Sequence, residues 1–412
     1  MILKSRFVAP VGYPVIEDGA VEVRDGCIVA VGRARDVSAP PDPADRDFAD
    51  AVICPGFVNA HAHLELSMLA GRVPPTPDFA GWLLRLGNVL SEAPPTQEST
   101  VDAVRAGVCK SLAAGVTTIG DITHLPAWTR TPLAQSPLRA VSFGEVIAVG
   151  RRRNLLRDRL EAAASLTAQT ERLRIGISPH APYTVEPEAM RACARAAQRI
   201  DGPLSIHLCE SRSEDEFTRS GTGPLADFLR SIDVWDAWVP ATRCDPLELI
   251  RANGLLGSRT LLAHANYLSD SQISKIARSG ASVAYCPRTH AAFAHEKHRF
   301  TDMLAAGINV CIGTDSLASN PSLSILDELR HLRRQRPDVA PDTLLAMGTI
   351  AGARALECAH ATGSIEIGKA ADLAVIPLPP SGRNENWDMI FELQNQPATV
   401  YISGVAEKDG DP

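Results

Sequence analysis

The sequence predicts an α/β protein, a (β/α)8 barrel of the TIM-like kind joined to a small composite β-sandwich domain made from both chain ends. Three observations point there. The first fifty residues read as short strands, Val21 and Val23 and then Cys27 to Val31, with Asp18-Gly19 and Asp25-Gly26 as hairpin turns. Eight short apolar runs follow, separated by stretches of helical period. Past a helical stretch at 323–360, strand character returns at 369–376 and 399–402.

The eight runs are 51–63, 115–121, 138–148, 173–180, 204–207, 260–264, 281–286 and 308–315. Between them, Val101, Val104, Val108 and Leu112 are spaced to line one helix face, as are Leu155, Leu156, Leu160 and Ala164. Parallel strands need crossover connections, and eight strand-helix units close on themselves. The expected division is 55–364 for the barrel and 1–54 plus 365–412 for the β domain, the late strands pairing with the early ones. Residues 233–257, with Trp235 and Trp238, read either as an insertion beside the active-site face or as a connecting helix.

A chain of 412 residues that is 45% hydrophobic has material for a large core, which excludes a disordered chain or a collagen. The net charge of −7 argues against the broad basic surface that nucleic-acid binding needs. A small-molecule partner is expected instead. The nine cysteines are scattered and contain no C-x-x-C pair, so they read as reduced core thiols of a cytoplasmic protein. No segment approaches a membrane helix, and no membrane partner is expected.

The chemistry concentrates at strand ends. His61 and His63 stand two apart at the end of the first run, so both imidazoles point the same way and can reach one metal ion. His207, His264 and Asp315 end the fifth, sixth and eighth runs. Each alone has a packing or capping explanation, but their convergence on the catalytic rim of a barrel does not. Glu210 lies three residues after His207 and reads either as a carboxylate above the same site or as a helix N-terminal acid.

These residues, with Pro55-Gly56-Phe57-Val58-Asn59-Ala60-His61-Ala62-His63, Ser178-Pro179-His180-Ala181-Pro182-Tyr183, Gly313-Thr314-Asp315-Ser316 and 363–373, carry a resemblance that spans nearly the whole chain. The sequence resembles the amidohydrolase superfamily, in its cytosine deaminase and chlorohydrolase-like branch, and within it the aminodeoxyfutalosine deaminases. The resemblance implies His61, His63, His207 and Asp315 as metal ligands, with Glu210, His264 and Asp315 as catalytic groups. One divalent ion is expected. Three imidazoles and a carboxylate suit zinc and also admit iron. The fourth run has no lysine of the kind that binuclear members carboxylate, although Glu145 on the third run offers a carboxylate that would bridge a second ion.

The implied reaction is hydrolytic deamination. Water on a divalent ion loses its proton near neutrality and attacks an sp² carbon of a nitrogen heterocycle. Glu210 protonates the adjacent ring nitrogen, Asp315 takes the water's proton, and His264 orients the nucleophile. The expected substrate is an adenine nucleoside of the aminodeoxyfutalosine, S-adenosylhomocysteine or methylthioadenosine type. The alternatives are a chlorohydrolase or cyclic amide hydrolase on another N-heterocycle, and a catalytically silent barrel acting as an interaction protein. A purely structural zinc on His61 and His63 is a third.

Candidate substrate contacts are His180, Glu65, Trp82 and Glu145, with Arg288 and His290 where Cys286-Pro287-Arg288-Thr289-His290 departs from the Cys-Pro-x-Ser-Asn of many relatives. Trp82 also reads as packing and Glu65 as a solvated loop acid. The run Arg151-Arg152-Arg153 is a solvated turn or an attractor for an anionic substrate tail. The resemblance also implies a homodimer or larger homo-oligomer.

Overall fold

A computed structural model of the chain describes residues 1–237, 239, 241–380 and 386–407. Eight strands form a parallel sheet in sequence order: β1 (Phe57–Ala62), β2 (Val116–Thr123), β3 (Arg139–Val146), β4 (Leu173–Pro179), β5 (Leu204–Leu208), β6 (Thr260–His264), β7 (Ser282–Tyr285) and β8 (Val310–Ile312). The ring closes between β8 and β1. Ala62 bridges to Asp315, and the Thr314 and Asp315 amides donate to the His61 carbonyl at 3.1 and 3.0 Å. Across the same seam Asn59 Nδ2 donates to Thr314 Oγ1, and Asn59 Oδ1 accepts the Thr314 amide.

The last strand is shorter than the expected 308–315. The chain leaves it after Ile312, and Asp315 adopts a φ of 61° beyond its end. A Cβ on Gly313 would stand 2.8 Å from both the Cβ and the carbonyl oxygen of His61, so glycine lets the two chains approach this closely.

The expected run 51–63 is two strands. It breaks at Gly56, where a Cβ would lie 2.2 Å from Thr117 Oγ1, and Ala51–Pro55 joins a second sheet. That sheet runs in the order Val405–Glu407, Thr399–Ile402, Leu373–Pro377, Ala51–Pro55, Ile2–Val8, Ile16–Arg24, Cys27–Arg33, with Arg46–Asp47 also against Ile2–Val8. Both chain ends therefore supply it, as the late strand signals imply. Ala51–Pro55 reads as a continuous apolar run because both its faces are covered. Ile53, Leu373 and Val375 pack with Val21, Ile28 and Tyr401, whereas Val52, Cys54, Ala374 and Ile376 join the cluster of Phe57, Val116 and Ile325.

Asp25-Gly26 forms the expected two-residue turn, with φ of 51° and 77° between paired Arg24 and Cys27. Asp18-Gly19 does not turn and lies within Ile16–Arg24. Glycine is needed there because Val8 Cγ2 would stand 2.4 Å from a Cβ.

Helices α1 (Phe79–Glu92) and α2 (Gln97–Ala113) follow β1, and α2 buries Val104 and Val108 as its spacing predicts. The second periodic face fails at Leu155, which is exposed because a 3-10 turn over Gly150–Leu155 precedes the helix Leu156–Ala163. Residues 233–257 combine both expected readings. Val234 and Asp236 pack against the loop after β3, while Pro246–Ala252 is a connecting helix with Leu247 and Ile250 in the core. Trp238 lies outside the described residues.

Arg139 on β3 ties the two sheets together. Its Nε donates to Asp372 Oδ2 at 2.6 Å, and the fully buried Asp372 also accepts the Ser403 amide at 2.8 Å. Arg139→Ala leaves that carboxylate buried without its cation and is expected to cost about 3–5 kcal/mol. Urea unfolding checks this, and a loss under about 1 kcal/mol would mean that the pair does not brace the junction.

Candidate active site

The strand ends bring the predicted metal-ligand set together at the rim. His61 on β1 is fully buried, and neither ring nitrogen has a hydrogen-bond partner. His207 on β5 donates from Nδ1 to the His180 carbonyl at 2.8 Å, which fixes its tautomer and aims an unprotonated Nε2 into the site. That Nε2 stands 3.3 Å from His63 Nε2. Asp315 Oδ1 lies 3.5 Å from His63 Nε2 and 4.0 Å from His61 Nε2, while its Oδ2 accepts the Ser319 hydroxyl at 2.9 Å.

Burial and the neighbouring imidazoles push His61 far below its ordinary pKa and His63 down to about 3, so both rings are neutral. Imidazole nitrogens and a carboxylate oxygen that converge at these distances, with both His61 nitrogens unpartnered, suit a bound cation. Ligands held at about 2.0–2.1 Å from one ion stand roughly 3–4 Å apart, as these donors do. The residues fit a single divalent metal ion.

Glu210 and His264 stand beside this set, Glu210 Oε1 3.6 Å from His264 Nε2. Burial, then the Asp315 and Glu214 charges, raise the Glu210 carboxyl well above its ordinary range. Glu214 holds the backbone from below, accepting the Cys209 amide at 2.9 Å and the Glu210 amide at 3.2 Å. A histidine-rich loop braces the pair from behind. His298 Nε2 donates to the His264 carbonyl at 2.9 Å, and Asn266 Nδ2 donates to the Glu210 carbonyl at 2.9 Å. His290 contacts Asn266 Oδ1 at 3.0 Å.

Burial holds His298 down to about 3 and His290 and His295 to about 4. Their folded values lie below the ordinary 6.5, so the unfolded chain takes up protons that the folded chain refuses. Stability present above pH 6.5 is therefore lost as the pH falls towards 4 and below. His298 alone should account for about 3 kcal/mol at pH 4. Urea unfolding at pH 7 and pH 4 measures this, with His298→Gln expected to flatten the dependence by about one proton. An unchanged slope would remove His298 from the acid response.

Above the rim opens a cavity of about 290 Å³. Glu65, Trp82, Glu145 and His180 line it, as do all four expected ligands except His61, which lies beneath. Trp82 is also packed, its Nε1 donating to the Val73 carbonyl and its ring set against Phe293 at 5.0 Å. Glu65 spends its carboxylate on the loop after β2, accepting from Thr123 Oγ1 and from the His124 and Leu125 amides.

Two expected contacts do not reach the cavity lining. Arg288 donates to Ser322 Oγ at 2.7 Å beside Asp327 and Glu328, and His290 is the brace described above. The arginine run divides. Arg151 pairs with Asp233 and Arg153 with Glu186 and Asp236, whereas Arg152 lines the cavity. Three site residues fall outside the expected set: His124 and Tyr183, which line the cavity, and Glu214 beneath Glu210. His124 follows β2 directly, so the strand-end rule that singled out His207 and His264 applies to it equally.

The pattern of the amidohydrolase family matches residues 52–406. The chain is 32% identical over 380 residues to a 5-methylthioadenosine/S-adenosylhomocysteine deaminase of Nitratidesulfovibrio vulgaris strain Miyazaki F, covering 88% of this chain and 80% of that one. It superposes with a TM-score of 0.86 and 25% identity on the Helicobacter pylori aminofutalosine deaminase solved with methylthio-coformycin, over 99% of this chain and 100% of that one. With an adenosine deaminase from Xanthomonas campestris, solved with bound zinc, the TM-score is 0.83 at 25% identity over 98% and 92%.

Proposed function

The chain belongs to the amidohydrolase family, and from that premise we propose that it deaminates an adenine nucleoside, releasing ammonia. The observation that carries this reading is the placement of Glu210, a buried carboxyl, beside His264 and Asp315 at the floor of a mostly apolar cavity. An adenine ring seated there would present its 6-position to the floor.

His61, His63, His207 and Asp315 would hold the metal ion. When bound, the ion supplies Lewis acidity and lowers the pKa of water to roughly 7. Zinc is supported by the Xanthomonas relative, which holds it. Glu210 Oε1 donates its proton to the ring nitrogen beside the reacting carbon, so that negative charge does not build on the ring. Asp315 Oδ1 accepts one proton from the attacking water and passes it to the departing amine, and the Glu210 carboxylate reclaims the other as the carbonyl forms, which restores its acid form. His264, fixed through its carbonyl by His298, orients the nucleophile with its unpartnered Nε2.

The apolar wall of Met68, Phe79, Leu83 and Leu86, with Arg152 beside it, supports a 5′ substituent of the methylthio, homocysteinyl or futalosine type. The same reading takes the enzyme as a cytoplasmic homodimer or larger homo-oligomer, and nine free thiols support a reducing compartment. No helix among the described residues is long and apolar enough to cross a membrane.

The test is ammonia release from a panel of 5′-substituted adenine nucleosides, with the absorbance shift from adenine to hypoxanthine as second readout. Turnover of chlorotriazines or cyclic amides in their place would move the chain to the other hydrolase chemistry of the family.

A further inference from the structure

Glu145 ends β3 on the cavity wall, one imidazole away from the ligand His207. Its carboxylate is 9% exposed, and its Oε1 has no hydrogen-bond partner. The nearest polar groups stand beyond hydrogen-bond range, His124 Nδ1 at 3.6 Å from Oε2 and His180 Nε2 at 4.0 Å from Oε1. His124 Nδ1 is likewise buried and unpartnered, and His180 Nδ1 is taken by Thr184 Oγ1 at 2.6 Å. Burial pushes the Glu145 pKa up, but the neighbouring His180 and His124 outweigh it and bring it below its ordinary value. Buried carboxylates are almost always hydrogen-bonded, so this one lacks donors that a ligand would bring.

Adenine narrows the choice of donor. Its amine must face the reaction centre, N1 meets Glu210, and N3 and N7 are acceptors that repel a carboxylate. Donors near Glu145 must then come from the sugar or from its 5′ tail. The wall beside Phe79, Leu83 and Leu86 is apolar and suits the tail. We propose that Glu145, flanked by His124 and His180, accepts the two hydroxyls of a vicinal diol, making the enzyme selective for ribonucleosides over deoxynucleosides. This rests on the deaminase reading above.

The experiment compares the metal-loaded wild type with Glu145→Ala and Glu145→Gln on 5′-methylthioadenosine and its 2′,3′-dideoxy analogue, with metal content measured on each protein. The wild type should prefer the diol by about 100-fold or more in kcat/KM. Glu145→Ala should lose a similar factor on the diol substrate alone, so that its preference shrinks below about threefold at unchanged metal content. Glu145→Gln keeps the side-chain volume and one acceptor oxygen but loses the second acceptor and the charge, so its preference should fall between those of the wild type and Glu145→Ala, which separates the effect from misfolding.

A preference that survives in both variants overturns the assignment. So does a second equivalent of metal in the wild type that the variants lack, because Glu145, His180 and His207 also have the spacing of a cation site. If the wild type deaminates neither compound nor any other adenine nucleoside of the panel, the deaminase reading fails and binding decides the diol question. Tighter binding of adenosine than of 2′,3′-dideoxyadenosine, lost in Glu145→Ala, sustains it, and equal Kd values overturn it.

Discussion

Glu210→Gln is expected to lower kcat by ~1,000-fold or more while the protein keeps its metal and its fold. The amide retains the size of the carboxyl and keeps an oxygen to face His264, 3.6 Å away. It loses the proton that the ring nitrogen needs and cannot reclaim one from water. Glu210 is not among the four residues proposed to hold the ion, so metal analysis should read one equivalent in both proteins. The main-chain supports from Glu214 and Asn266 do not involve the substituted group. Near-normal turnover would remove Glu210 from proton transfer, and loss of metal with turnover would make it a ligand.

Stripping divalent ions with a chelator should abolish turnover, and added zinc should restore it. His61→Asn should produce the same loss without rescue. The effect exceeds that of a missing proton donor because both the nucleophile and the charge stabilisation depend on the ion. A thermal readout accompanies it. His61 is fully buried with both nitrogens unpartnered, so filling the site should raise the Tm in proportion to the logarithm of free zinc. Full activity in metal-free protein would overturn the site. Less than about half an ion per chain after growth in metal-replete medium would favour a catalytically silent barrel.

The barrel and its rim were legible because both rest on local rules. Period and strand length identify parallel strands buried on both faces, and the C-terminal ends of such strands carry the chemistry. The strand-end rule singles out His61, His63, His207, His264 and Asp315, and the structure places them at one rim. Features set by long-range packing were not legible. Gly19 reads as a turn residue, but the side chain of Val8 is what requires it. His290 reads as a substrate contact, whereas the fold turns it towards Asn266 and makes it a support for Glu210. Glu214 is a local feature that the strand-end rule passes over, because it binds the main-chain amides of Cys209 and Glu210, five and four residues back, in place of a side chain of the site.

The pairing of Ala51–Pro55 with Leu373–Pro377 also sets the timetable of synthesis. Cys54 and Ala374 meet across a separation of 320 residues. At about 5–20 residues per second, the earlier strand leaves the ribosome on the order of 20–60 s before its partner exists. Throughout that interval an apolar strand has one bare edge, open to pairing with other nascent chains. Production of this protein at high yield should therefore respond to slower translation and to chaperones that shield strand edges.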